Sequence, residues 1–138
     1  TKVKTPYEVL QENNENYTMH YRFKQVESKY QELLKKAVSA GKKQGKMLFF
    51  QYGGDLSMSS DLANELGYFF PDKTIVVVYI KGVKANISIR GKKSRDILLE
   101  AIKDLKEVSG GGHETAVGGQ IRFEDLEKFR ENLKKQIQ

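Results

Sequence analysis

The residues with the clearest chemical use form a glycine-rich run at positions 110–119, Gly-Gly-Gly-His-Glu-Thr-Ala-Val-Gly-Gly. Three successive positions without a β-carbon allow positive φ angles and let a ligand lie directly against the backbone amides, an arrangement that suits phosphate. Glycine clusters also serve simply as helix ends and turns. The run has neither a Walker lysine nor a complete dinucleotide fingerprint, so its spacing alone leaves both interpretations open.

Hydrophobic periodicity predicts the elements that position this run. A long amphipathic helix is predicted from residue 17 to about residue 43, and its apolar positions are Phe23, Val26, Tyr30, Leu33 and Ala37. A short helix at residues 7–11 is predicted within the polar segment that precedes it. A strand is predicted at 47–52 and is followed by a helix, whose N-cap is Ser57, Ser59 or Ser60 and which ends at Gly67 and Pro71. Two strands at 74–80 and 83–90 follow, joined by a turn at Lys81 and Gly82. The last predicted elements are a helix from 94 to about 106, a strand at 120–123 and a helix at 125–137.

These elements predict an α/β fold, in which a central mixed sheet of about four to five strands is flanked by helices and preceded by a long N-terminal linker helix. We expect two parts, a linker segment over residues 1–45 and a compact domain over residues 46–138. The chain starts at Thr1, not at methionine, and we therefore expect it to be a fragment of a longer polypeptide or a processed chain.

The charge balance favours an acidic partner. The chain has a formal net charge of +6 and a sequence pI near 9.4, which makes nucleic acid the first candidate and an anionic surface a poorer one. It contains no cysteine, which excludes disulfides and thiolate metal sites and fits a cytoplasmic location. No apolar stretch is long enough to span a bilayer, and we expect no membrane partner.

Two polar surfaces have competing interpretations. The lysines of the long helix form either a solvated face or a ridge that binds nucleic acid. The strand at 83–90 carries Lys84, Asn86, Ser88 and Arg90 on its polar face, which is either simply hydrated or offers the Arg90 guanidinium to a phosphate that the glycine run also contacts. Composition does not separate these alternatives. The aromatic residues Tyr52, Phe69, Phe70 and Tyr79 are better explained as core than as platforms for bases.

Taken together, the motifs resemble those of the DHH-associated domain, the C-terminal module of DHH phosphoesterases such as RecJ-like exonucleases and oligoribonucleases. The similar segments are the Gly-Gly-Gly-His run, Ser-Ser-Asp-Leu-Ala at 59–63, Phe-Pro-Asp-Lys at 70–73 with the strand after it, and Ile-Ser-Ile-Arg-Gly at 87–91. They cover roughly residues 46–138 in the family's order. The run departs from the family pattern at Glu114, where the family usually has proline.

The resemblance implies a binding module, whose expected phosphate-binding or nucleic-acid-binding residues are Gly110, Gly111, Gly112, His113, Thr115, Arg90, Ser88 and Ser60. The Asp-His-His run of the catalytic domain is absent, so we expect no catalytic residues, metal or cofactor in this chain alone. The implied partner is a separate DHH domain, ordinarily on the same polypeptide, that uses manganese or magnesium to hydrolyse a phosphodiester.

The substrate that the resemblance implies is single-stranded nucleic acid or a short oligonucleotide. Two alternatives stay open. One is a fragment of a phosphoesterase that acts on small nucleotides, and the other is a non-catalytic module of the same fold that binds tRNA or acts as a replication scaffold.

Overall fold

A computed structural model describes the backbone of residues 6–137 and the side chains of residues 18–137. Its elements are α1 (Pro6–Lys43), β1 (Met47–Tyr52), α2 (Ser59–Phe69), β2 (Thr74–Lys81), β3 (Lys84–Arg90), α3 (Ser94–Ile102), β4 (Ser109–Gly112), β5 (Ala116–Arg122), a short 3-10 turn (Phe123–Asp125) and α4 (Leu126–Ile137). None of the described helices is long and apolar enough to cross a membrane.

The five strands of the described chain form one mixed sheet in the order β1-β2-β3-β5-β4. β1 runs parallel to β2 because α2 connects them as a crossover, and the other pairings are antiparallel. The predicted fold class is therefore confirmed. β2 lies near the centre with its middle residues fully buried, as its continuous run of β-branched residues indicates.

Contacts divide the chain into two compact units, Thr1–Leu33 and Leu34–Gln138. The predicted division between residues 45 and 46 stays a prediction. The described part of the first unit is the N-terminal part of α1. Two apolar positions of the predicted stripe, Phe23 and Val26, are 66% and 41% exposed there. α1 begins at Pro6 rather than at Tyr17. The preceding segment, in which only a short helix at residues 7–11 was predicted, is therefore part of α1 from Pro6 onward.

The second unit has its main core on one face of the sheet. Val76, Val78, Ile87 and Ile89 of the central strands pack there against α3 and α4. Side chains alternate along a strand, so the intervening residues of β2 and β3 lie on the other face. α2 lies over that face beside β2 and β3, and its buried residues include Leu62, Ala63 and Leu66.

Some predicted boundaries and positions are wrong. Val83 lies in the β2–β3 turn and is 76% exposed, whereas the prediction placed it in a strand with Ala85. α3 ends at Ile102 rather than near Lys106. Gly67 lies within α2 and does not end it.

The predicted serine cap of α2 is also wrong. The N-cap position is Met58 and forms no side-chain cap bond. Ser59 is buried with its hydroxyl 2.8 Å from that of Tyr52. The Tyr52 hydroxyl also accepts a bond from the Met58 N–H at 2.7 Å, so a buried tyrosine of β1 orders the helix start instead of a local cap.

The C-terminus of α1 depends on close packing at Gly41. A β-carbon there would lie 2.6 Å from both Leu48 Cδ1 and a ring carbon of Phe70. The Lys73 ammonium donates to the carbonyls of Gly41 and Gln44, which satisfies acceptors that a helix end leaves unpaired.

We expect Gly41→Ala to lower the free energy of unfolding by about 1–3 kcal/mol, because the added methyl group overpacks this contact. Gly67→Ala is the matched control, since its added β-carbon would meet no described atom within 4 Å outside its own helix turn and alanine favours the helix. Urea denaturation of both variants measures the difference. Equal stability of Gly41→Ala and the parent protein would contradict the packing argument.

Candidate nucleic-acid interface

The glycine run is a β-hairpin rather than a loop. Its first part is the edge strand β4, which pairs with β5, and residues 113–115 form the turn. The His113 N–H donates to the Ala116 carbonyl at 2.9 Å. The strand predicted to start at Gln120 starts at Ala116 and includes Gly118 and Gly119. His113, Glu114 and Thr115 are exposed at the hairpin tip.

The three glycines of β4 have different environments. A β-carbon at Gly110 would lie 2.9 Å from Leu98 Cδ2, and one at Gly112 would lie 2.7 Å from the Ala116 carbonyl oxygen. Gly112 is the member of the triplet with a positive φ, 141°. An added β-carbon at Gly111 would meet no described atom within 4 Å. Packing therefore accounts for Gly110 and Gly112 but not for Gly111.

Gly111 belongs to a flat row across three strands. It lies opposite Gly118 of β5, which lies opposite Ser88 of β3. The nearest described atom to a β-carbon at Gly118 would be the Ile87 carbonyl oxygen, 3.5 Å away. α3 packs against β4 and β5 from the opposite face. We call the row of Ser88, Gly118 and Gly111 the glycine platform, and the face that carries it the open face.

Backbone donors lie beside the glycine platform at the edge of the sheet. His113 and Ala116 exchange two backbone bonds, N to O at 2.9 and 3.4 Å. Bonded and non-bonded pairs alternate in an antiparallel ladder, so Gly111 and Gly118 form the next bonded pair. The N–H groups of Gly110 and Gly112 consequently point away from β5, at the edge of the described sheet.

Arg90 occupies the next row of the open face. Its Nε donates to Asn64 Oδ1 at 2.8 Å, and its Nη1 donates to the carbonyls of Ile89 and Val117 at 3.0 and 3.3 Å. The side chain is half-buried, and this desolvation lowers the pKa of the guanidinium from its usual value. None of its described partners is a carboxylate, so a positive charge is held in place without a counter-charge.

Asn64 is a residue that sequence reasoning missed. It lies on α2 four residues after the predicted site residue Ser60, so both project from the same side of the helix. The carbonyl group of Asn64 fixes the direction of the Arg90 guanidinium. The four-residue spacing from Ser60 could have predicted that Asn64 shares its helix face. It could not have predicted the contact between Asn64 and Arg90.

Further cations follow Arg90 at the start of α3. Lys92, Lys93 and Arg95 are exposed. The Gly91 N–H donates to the Thr115 carbonyl at 3.0 Å, which joins this segment to the hairpin tip that carries His113. Of the predicted site residues, seven therefore lie on or next to the open face of β3, β5 and β4, and Ser60 lies on α2 beside it.

Within residues 18–137 there is no group of three or more histidine, cysteine, aspartate or glutamate side chains that could hold a metal ion. The donors around the glycine platform are guanidinium, amide and hydroxyl groups, which suit an anion better than a cation. The resemblance assigns manganese or magnesium to the separate DHH domain and not to these residues.

Solved structures with a similar fold include two RecJ proteins. RecJ of Thermus thermophilus in complex with Mn²⁺ matches with a TM-score of 0.67 and 15% identity over 86% of this chain and 18% of that chain. An exonuclease RecJ bound to manganese matches with a TM-score of 0.62 and 17% identity over 88% of this chain and 30% of that chain. This chain thus spans less than a third of either protein.

A third similar structure is the C-Ala domain of alanyl-tRNA synthetase from Aquifex aeolicus, with a TM-score of 0.52 and 21% identity over 64% of this chain and 85% of that domain. No curated protein sequence matches the chain. The sequence-family model of the DHHA1 domain matches residues 42–138. The chain therefore belongs to the DHHA1 domain family, the DHH-associated domain to which its motifs pointed.

Proposed function

We propose that the open face binds the sugar-phosphate backbone of single-stranded nucleic acid and positions it for a separate DHH catalytic domain. The observation that carries this proposal is Arg90, a half-buried guanidinium without a carboxylate partner, beside the glycine platform. Removing part of the water around a cation costs free energy unless an anion binds to it. A phosphate placed there would accept from the Arg90 guanidinium, and the edge amides of Gly110 and Gly112, which lie two strands away, would bind a further phosphate of the same nucleic-acid strand.

The glycine platform is suited to a ligand that lies flat on the sheet. Gly111 and Gly118 present bare backbone, so a strand could approach the sheet more closely there than at any residue with a side chain. Gly111 and Gly118 are exposed on the open face, which suits a nucleic-acid strand that continues past the site. This is the reason for favouring a polynucleotide over an enclosed small nucleotide.

The catalytic partner belongs to the same proposal. The chain is similar to part of much longer RecJ proteins, and the activity named for those proteins would need groups outside the described residues of this chain. The first unit carries large exposed apolar side chains, among them Met19 at 66% and Phe23 at 66%. Such a surface is suited to contact with another protein part, and we assign it to the DHH domain on the same polypeptide.

We expect binding of a fluorescently labelled single-stranded oligonucleotide to weaken as salt rises, with a log-log slope of about −0.7 for each phosphate contacted. Anisotropy titrations at several salt concentrations measure the slope. Failure to bind at low salt, or an affinity that does not change with salt concentration, would contradict the proposal.

Oligonucleotides of different length separate the proposed ligand from the small-nucleotide alternative. We expect affinity to rise from a dinucleotide to a strand of several nucleotides, because a longer strand contacts more of the open face. A dinucleotide that binds as tightly as a longer strand would favour a small-nucleotide site.

A further inference from the structure

The open face has a second polar row next to the glycine platform. Asn86 of β3 lies opposite Gln120 of β5, which lies opposite Ser109 of β4. Gln120 Nε2 donates to Asn86 Oδ1 at 2.9 Å. Both amides are half-buried. We call Asn86 and Gln120 the amide pair.

The bond between the two amides leaves a defined set of groups for a ligand. It uses one of the two N–H donors of Gln120 and one acceptor position of Asn86. The Asn86 amino group and the Gln120 carbonyl oxygen have no further partner in the part of the chain that the structure describes. A donor and an acceptor are therefore held side by side on an accessible surface.

This combination suits a nucleobase rather than a phosphate. A phosphate offers acceptors alone and is repelled by a carbonyl oxygen, whereas the edges of nucleobases present donors beside acceptors. Asparagine and glutamine side chains pair with such edges in nucleic-acid complexes. Arg90, by contrast, offers donors alone. The open face is thus divided chemically into a phosphate-compatible end and a base-compatible middle.

The spacing fits one nucleotide laid along β3. Successive rows on one face are about 6.6 Å apart, so the glycine platform lies one row from Arg90 and the amide pair lies about 13 Å from Arg90. A phosphate at Arg90 would place a sugar above the bare backbone of the glycine platform. The base would then reach the amide pair.

The charges around Arg122, at the end of the open face opposite Arg90, determine which end holds the phosphate. Arg122 follows Gln120 by two residues, but its guanidinium is already paired with Glu124 at 2.8 Å and Asp125 at 3.0 Å, and Glu107 is 3.8 Å away. Lys84 lies opposite Arg122, but the three carboxylates outnumber these two cations and disfavour a phosphate there. Among the described residues of the open face, the end at Arg90 is therefore the favourable one for the phosphate.

We propose that Asn86 and Gln120 form a nucleobase-recognition subsite, in which the amide pair binds the hydrogen-bonding edge of a nucleotide whose phosphate lies at Arg90. The subsite makes the domain respond to the presence of bases and not to charge alone. This proposal rests on the proposed function, since it needs the nucleotide phosphate at Arg90.

The test compares two labelled single-stranded oligonucleotides of equal length and charge, one with bases and one with abasic residues throughout. We expect the 138-residue chain to bind the strand with bases at least about fivefold more tightly, and Asn86→Ala and Gln120→Glu each to remove most of this difference. Affinity for the abasic strand and its salt dependence should stay unchanged in Asn86→Ala. Gln51→Ala, which removes an exposed amide from β1, should bind both strands like the parent protein.

Each outcome is informative. Equal affinity of the parent protein for both strands would overturn the subsite and leave the phosphate proposal standing. A preference for bases that survives in both folded variants would also overturn it. Absence of binding to either strand would refute the proposed function and the subsite together. Thermal unfolding identifies a variant that fails to fold, and the other amide variant then decides the question.

Discussion

The Gly111→Val variant is expected to fold as stably as the parent protein and to bind single-stranded oligonucleotides about 10- to 100-fold more weakly. Its added β-carbon meets no described atom within 4 Å, and valine favours a strand, so stability should be unchanged or higher by up to about 1 kcal/mol. The methyl groups would cover the bare backbone of the glycine platform and prevent the close approach that charge-assisted bonds to the edge amides require.

Gly112→Ala is the informative contrast. Its φ of 141° and the 2.7 Å approach to the Ala116 oxygen predict lower stability as well as weaker binding. Urea denaturation and anisotropy titration of both variants separate the two effects. If folded Gly111→Val bound like the parent protein, the glycine platform would have no role in ligand approach.

Arg90→Ala should lower affinity for the same oligonucleotide by about 10- to 100-fold, because a charge-assisted contact with phosphate contributes about 1.5–3 kcal/mol. The salt slope should also become shallower by about 0.7, because the variant neutralises one phosphate fewer. Anisotropy titration over a range of salt concentrations measures both quantities.

Two controls accompany this variant. Lys135→Ala removes an exposed cation on α4, which packs against the opposite face of the sheet, and should change affinity little. Arg90→Lys keeps the charge but loses the fixed direction provided by Asn64, so its affinity should lie between those of the parent protein and Arg90→Ala. Equal decreases in affinity for Arg90→Ala and Lys135→Ala would indicate that net charge alone drives binding.

The sequence was sufficient to predict most of the fold, because the apolar period of each helix and the alternation in β3 are local properties. β4 was missed because glycine has low strand propensity, and its strand character comes from pairing with Gly118 and Gly119 later in the chain. The start of α2 was mispredicted for a similar reason. A tyrosine hydroxyl from β1, not a local serine, orders it.

The candidate site was predictable in its members but not in its geometry. The resemblance placed Arg90 and the glycine run together, whereas the separate explanations for Gly110, Gly111 and Gly112 required the positions of Leu98 and Ala116. The contact between Asn64 and Arg90 joins residues that are distant in sequence, and periodicity carries no information about it. The bond between Asn86 and Gln120 depends in the same way on the register of β3 with β5.

The central claim is that nucleic acid binds on the open face, and the most direct test is a titration of the ¹⁵N-labelled chain with a single-stranded oligonucleotide followed by NMR. The account predicts that the largest amide shifts fall on Gly111, Gly112 and Gly118 and on the hairpin tip at residues 113–115. Shifts confined to the lysine-bearing part of α1, at Lys29, Lys36 and Lys43, with the glycine platform unmoved would contradict it.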